Sequence, residues 1–148
     1  MNGMRLLTTL AFATLSLAAP AAAEKKVIQP KEFATGRPFS PGILANGTLY
    51  VAGQIGSDLK TGAIPEKFED EVKQTLDNIG LVLKEAGMTF DNVVTVHVYL
   101  TDIDLFARMN GVYVTYFKEG TRPARTTIGG IKLAGAKAKV EITVTAAK

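Results

Sequence analysis

The chain has 148 residues, a formal net charge of +3 and no cysteine or tryptophan. That length suits one domain with a workable core. Lack of cysteine excludes disulfides and thiolate chemistry, and a single histidine, His97, leaves no ligand set for zinc or most transition metals.

Residues 1–23 read as an export leader. Arg5 gives a positive start, Leu6 to Ala19 is apolar, and Ala21-Ala22-Ala23 supplies small residues before Glu24. An uncleaved anchor or an N-terminal helix is the alternative. Cleavage after Ala23 would leave residues 24–148 as the folded domain, in a periplasmic or secreted location, with no membrane attachment once processed. Absence of cysteine suits that oxidising setting.

Glu24 to Phe39 holds Pro30, Gly36 and Pro38 and should be extended or irregular, with a short strand at Lys26–Ile28. Ile43–Ala45 and Thr48–Ala52 flank Asn46-Gly47, a strong two-residue hairpin signal. Asn46-Gly47-Thr48 also fits a glycosylation acceptor. Gly53 to Pro65 reads as a loop, with Gly53-Gln54-Ile55-Gly56 either a strand end or backbone close to a small ligand.

Phe68 to Ala86 is the clearest helix. Phe68, Val72, Leu76, Ile79, Leu83 and Ala86 form one stripe, Glu69, Asp70 and Glu71 crowd the positive end, and Gly87 stops it. Val93 to Leu100 reads as a strand with Val94, Val96, Val98 and Leu100 on one face and Val93, Thr95, His97 and Tyr99 on the other. Thr101-x-x-Asp104 resembles a capping box before a second helix, Ile103 to Lys118, whose inner face would carry Phe106, Met109, Tyr113 and Tyr116 or Phe117. Arg122 to Thr145 then reads as two strands around a Gly/Ala/Lys loop.

The order β-β-α-β-α-β-β suggests an α+β fold, one sheet with both helices on one face. The semi-polar second face calls for a cover, and self-association around a symmetry axis would supply it.

No Ser-His-Asp arrangement is available, and His97 lies on a strand with no evident carboxylate partner. Lys132, Lys137 and Lys139 form a small basic cluster without interleaved aromatics, so a solvated loop is favoured over nucleic acid. Arg125 and Glu141 stand out as charges inside β-branched runs. Such charges need partners if buried. Those partners are each other across adjacent strands, or solvent at a sheet edge, or a ligand.

From about Phe39 to its end the chain resembles the Rid/YjgF family, the reactive-intermediate deaminases. Phe39-Ser40-Pro41-Gly42 is similar to the family's tyrosine-serine segment, and Leu49 to Ile55 to its strand ending in Ser-Gly-Gln. Gln74 to Ile79 resembles its first-helix motif, and Val96 to Asp102, with Phe106, Asn110 and Tyr113 to Phe117, its fourth strand and second helix. Pro123-Ala124-Arg125-Thr126-Thr127 and Val140-Glu141-Ile142 resemble its Pro-Ala-Arg-Ser and Val-Glu-Ile signatures.

The resemblance implies a chorismate mutase-like mixed sheet and a homotrimer with active sites between subunits. It also implies cofactor-free hydrolysis of 2-imino acids or enamines, of the 2-aminoacrylate and 2-iminobutanoate type, to 2-oxo acids and ammonia. Arg125 would anchor the substrate carboxylate and Glu141 would handle water and protons. Phe39, Gly53, Gln54, Asn110 and Thr127 would complete the cleft, with no metal. A non-catalytic small-molecule-binding trimer and an endoribonuclease or chaperone-like member are the alternatives. Phe39 replaces a frequent tyrosine, Ala52 a frequent serine and Thr127 a frequent cysteine, and the Arg125-to-Glu141 connection is one residue longer near Gly135.

Overall fold

Asn46 and Gly47 both adopt left-handed backbone, φ 49° and 74°, as a tight two-residue hairpin turn demands. They join β2 (Gly42–Ala45) to β3 (Thr48–Val51), and β1 (Lys25–Ile28) pairs antiparallel with the outer side of β2. The computed structural model describes residues 24–148, so the expected leader at residues 1–23 lies outside the described residues.

The remaining elements are β4 (Gln54–Ile55), α1 (Phe68–Glu85), β5 (Val93–Leu100), α2 (Phe106–Tyr113), β6 (Ala124–Ile128) and β7 (Val140–Ala147). The sheet runs β1-β2-β3-β7-β5-β6, with β4 pairing β7 beyond the end of β3. All pairs are antiparallel except β5 with β6, so the sheet is mixed. Both helices cover one face, giving the expected α+β architecture.

Alternation places side chains by face. Val96, Val98 and Leu100 pair with Val144, Ile142 and Val140, all buried beneath the helices. His97 pairs with Thr143 and Tyr99 with Glu141 on the open face, which Tyr50 also joins through its pairing with Thr145. Along α1, the expected stripe from Phe68 to Ala86 is buried in full. Val94 departs from expectation. A register shift between Val93 and Thr95 breaks the alternation, burying Val93 and exposing Val94.

Three local expectations also need correction. The Gly53–Pro65 loop contains strand β4, whose two residues are too few to show a period. The second helix is shorter than Ile103–Lys118. A 3-10 turn at Ile103–Leu105 precedes α2, and the Thr115 hydroxyl bonds the Val112 carbonyl where the helix has ended. The cap is Asp102 rather than Thr101: its carboxylate accepts from the Asp104 amide at 2.9 Å.

The acidic first turn of α1 divides its work. Glu69 turns outward to a two-pronged pair with Arg108 of α2, at 2.7 and 3.0 Å. Arg108 holds the Glu69 carboxyl down at about 2, below its ordinary 4.5. Because the folded value lies below the unfolded one, the pair stabilises fully above about pH 4.5 and fades as pH falls towards 2. The Tm gap between the parent and Glu69→Gln should therefore close over that acid window. A gap that does not change with pH would contradict this. Glu71, two residues on, turns inward and is fully buried.

Candidate active site

Arg125 and Glu141 lie on opposite faces of the sheet. Arg125 pairs with Val96 and so belongs to the helix-bearing face, while Glu141 pairs with Tyr99 on the open face. Strand β5 separates β6 from β7. The cross-strand ion-pair alternative is thus wrong for two reasons, strand order and face. Among the described residues, the ion pairs that form leave both side chains out.

Arg125 stands at the sheet edge, half-buried. Its guanidinium lies 4.5 Å from the centre of the Tyr113 ring and 5.5 Å from that of Phe106. Both rings come from α2, which also presents Asn110 between them in sequence. Ring quadrupoles attract the cation and help to hold it in place. Burial pushes the Tyr113 phenol up, and the charge of Arg125 pulls part of that rise back. A neutral phenol beside a fixed guanidinium suits an anion better than a competing phenolate would.

Two open cavities flank Arg125. One of about 480 Å³ is lined by Asn110, Tyr113, Val114, Arg122 and Pro123. The other, about 470 Å³, is lined by Ile103, Asp104, Phe106 and Thr127. Asn110 and Thr127 therefore both gather at Arg125, but on different sides of it.

Glu141 has its own cavity of about 270 Å³, whose walls include Phe39, Arg37, Gly53, Gln54 and Gly135. Gly53 is a glycine for a visible reason. A Cβ there would run into the Glu141 carboxylate at Oε1. The backbone breaks between β3 and β4 at this point, and the Thr143 hydroxyl bridges the gap by donating to the Val51 carbonyl. Gln54 is buried and donates to the Ala52 carbonyl at 3.0 Å, which stiffens the turn.

Helix α1 supports this half from beneath. The Asn78 amide donates to the carbonyls of Ile55 and Ser57 at 3.1 and 3.0 Å. Glu71 Oε1 accepts from the amides of Lys139 and Val140 at 2.6 and 3.2 Å, just before Glu141. Two segments that wall the Glu141 cavity are thus tied to one helix.

Of the expected site residues, the structure gathers Phe39, Gly53 and Gln54 around Glu141, and Asn110 and Thr127 around Arg125. It does not join the two groups within one chain. Sequence reasoning missed Tyr113 and Phe106 as the cradle of Arg125, although their spacing with Asn110 on one helical stripe carried that signal. It also missed Arg37, which no periodicity marks, and Glu71, read only as a complement to the helix dipole. Among the described residues no group of three or more His, Cys, Asp or Glu is placed to hold a metal ion, and no helix is long and apolar enough to cross a membrane.

Residues 29–148 match the family model described as endoribonuclease L-PSP. A RutC family protein from Aquifex aeolicus is 38% identical over 125 residues, covering 84% of this chain and 99% of that protein. A 2-iminobutanoate/2-iminopropanoate deaminase from Rattus norvegicus is 46% identical over 88 residues, 59% of this chain and 64% of that protein. Among solved structures, the conserved Rid family protein YyfA from Yersinia pestis superposes with a TM-score of 0.76 at 37% identity, covering 84% of this chain and 100% of that one. With this sheet order and the matched span, the chain belongs to the Rid/YjgF family, the family of endoribonuclease L-PSP.

Proposed function

We propose that the protein hydrolyses 2-imino acids to 2-oxo acids and ammonia, as a homotrimer whose sites join Arg125 of one protomer to Glu141 of the next. The observation that carries this reading is the placement of the pair on opposite faces of one sheet, each in an open cavity. A carboxylate anchor and a proton-handling carboxylate serve one small substrate only if two copies face each other. The open face, with Tyr50, His97 and a run of threonines, is the surface that such an assembly would cover. Kinship with a named imine deaminase supports the same chemistry.

The reaction asks little of the protein beyond position. The fork of Arg125 takes the substrate carboxylate by two parallel N–H donors and so fixes the imine carbon. Glu141 accepts a proton from a water as its oxygen attacks that carbon, giving a carbinolamine. The same carboxyl returns the proton to nitrogen. Glu141 next carries the hydroxyl proton to the nitrogen as the C–N bond breaks, so ammonia leaves and the hydroxyl oxygen becomes the new carbonyl. Water supplies the oxygen, and no redox change occurs.

Mixing subunits tests the reading. Arg125→Ala and Glu141→Gln proteins should each keep at most a few per cent of the parent rate (about 30-fold lower or more) on 2-iminobutanoate made in situ by an amino-acid oxidase. Refolded together in equal amounts, they should recover about a quarter of the parent rate, since half the anchors and half the bases are intact at random. No recovery would mean that both groups serve one chain's site. Binding of 2-oxobutanoate without any acceleration by the parent would leave a carboxylate-binding protein instead.

A further inference from the structure

Among the described residues, Arg37 is the one cation lining the Glu141 cavity, and imine hydrolysis by Arg125 and Glu141 gives it no task. It is exposed, and among the described residues its charge enters no ion pair. Its guanidinium lies 5.9 Å from the centre of the Phe39 ring, close enough for cation–π attraction to bias its position. Phe39 has no hydroxyl, so the ring orients the guanidinium without occupying a donor. Arg122, the other unassigned arginine, donates to the Phe117 carbonyl at 3.3 Å and lies in the Arg125 half.

A 2-imino acid has three parts to recognise. Arg125 takes the carboxylate, and Glu141 faces the imine carbon. The substituent on that carbon must then point along the remaining wall of the Glu141 cavity. The walls of that cavity include Phe39, Arg37 and Leu59. An aliphatic substituent meets the ring alone. A substituent ending in a carboxylate reaches the guanidinium. It gains a charge-assisted contact and separates Arg37 from competition with water.

We infer that Arg37 forms a second anion subsite, so that the cleft selects dicarboxylic 2-imino acids and their 2-oxo products, of the five-carbon glutamate type, over monocarboxylic ones. The inference rests on the imine-hydrolase reading for its chemistry, but the subsite can be tested without turnover. Calorimetric titration should show the parent binding 2-oxoglutarate more tightly than 2-oxobutanoate. In Arg37→Ala the ratio of the two affinities should fall about tenfold, the worth of one charge-assisted contact at an open site. Arg37→Lys keeps the charge but not the fork and should retain part of the ratio. The ratio of kcat/KM for 2-iminoglutarate over 2-iminobutanoate, each made in situ by an amino-acid oxidase, should move the same way.

Equal losses for both ligands would overturn the subsite, because Arg37 would then act only as general charge or as a prop for Phe39. An unchanged ratio would overturn it too. If the affinity ratio falls while the parent hydrolyses neither imine, the subsite stands and the hydrolase reading fails. If the parent hydrolyses both imines and neither ratio moves in Arg37→Ala, the hydrolase reading stands and the subsite fails.

Discussion

Arg125→Ala should lower kcat/KM for 2-iminobutanoate hydrolysis by roughly 30- to 1,000-fold, the equivalent of about 2–4 kcal/mol of transition-state binding. The side chain is held by two rings at 4.5 and 5.5 Å rather than by an acidic partner, so on the proposed reading its charge is left for the substrate carboxylate. Its removal takes away both the charge and the fork that orients the substrate. If the fork only gathers substrate, KM should rise and kcat should hold. If it also aligns the imine carbon with Glu141 and its water, kcat should fall as well. The second outcome is expected, because a small substrate with one anchor loses its alignment with that anchor. Arg125→Lys should recover only part of the rate. The fold should tolerate either change, since cation–π contacts of a half-buried guanidinium are worth about 0.5–2 kcal/mol each. Equal rates for Arg125→Ala and the parent would remove Arg125 from the site.

The largest stability effect should come from Glu71→Ala. This carboxylate is fully buried, and one of its oxygens takes the amides of Lys139 and Val140. It stands in the first turn of α1. Alanine would leave the two amides without their acceptor and open a void between α1 and β7. A loss of about 3–5 kcal/mol is expected, a large share of a typical domain's stability. Glu71→Gln keeps an accepting oxygen but sets an NH2 group where the buried Oε2 has no partner, so it should cost less than alanine, about 1–3 kcal/mol. Urea unfolding at matched protein concentration would measure both, with equal slopes required for the comparison. An alanine variant within about 1 kcal/mol of the parent would show that the two amides find another acceptor.

The elements that local pattern dictates were legible in the sequence. Asn46-Gly47 between β-branched runs specified its hairpin, and the apolar stripe from Phe68 to Ala86 specified α1. The strand at Val93–Leu100 was also clear, with its faces from Thr95 onward, but not the placement of Val93 and Val94, because a bulge leaves no mark in composition. Strand β4 was invisible, since two residues carry no period, and it forms only because β7 continues past the end of β3. The candidate site divided along the same line. Arg125 and Glu141 were conspicuous as charges among β-branched residues. That β5 would come between their strands is a matter of topology, to which no local window is sensitive. Glu71 was more accessible than it looked. It lies three residues beyond Phe68 and four before Thr75, on the buried flank of the stripe, so helical spacing alone placed it inside.

The two ties from α1, through Asn78 to Ile55 and Ser57 and through Glu71 to Lys139 and Val140, have a bearing on local stability. Loops that border a binding cavity usually fluctuate open independently of the scaffold, at little free-energy cost. Here the segments on both sides of Glu141 are anchored to the same helix, so neither can lift without breaking bonds to its buried row. Loosening the cavity walls and undocking the helix become one cooperative event. The protein thereby ties the surroundings of Glu141 to the buried row of α1.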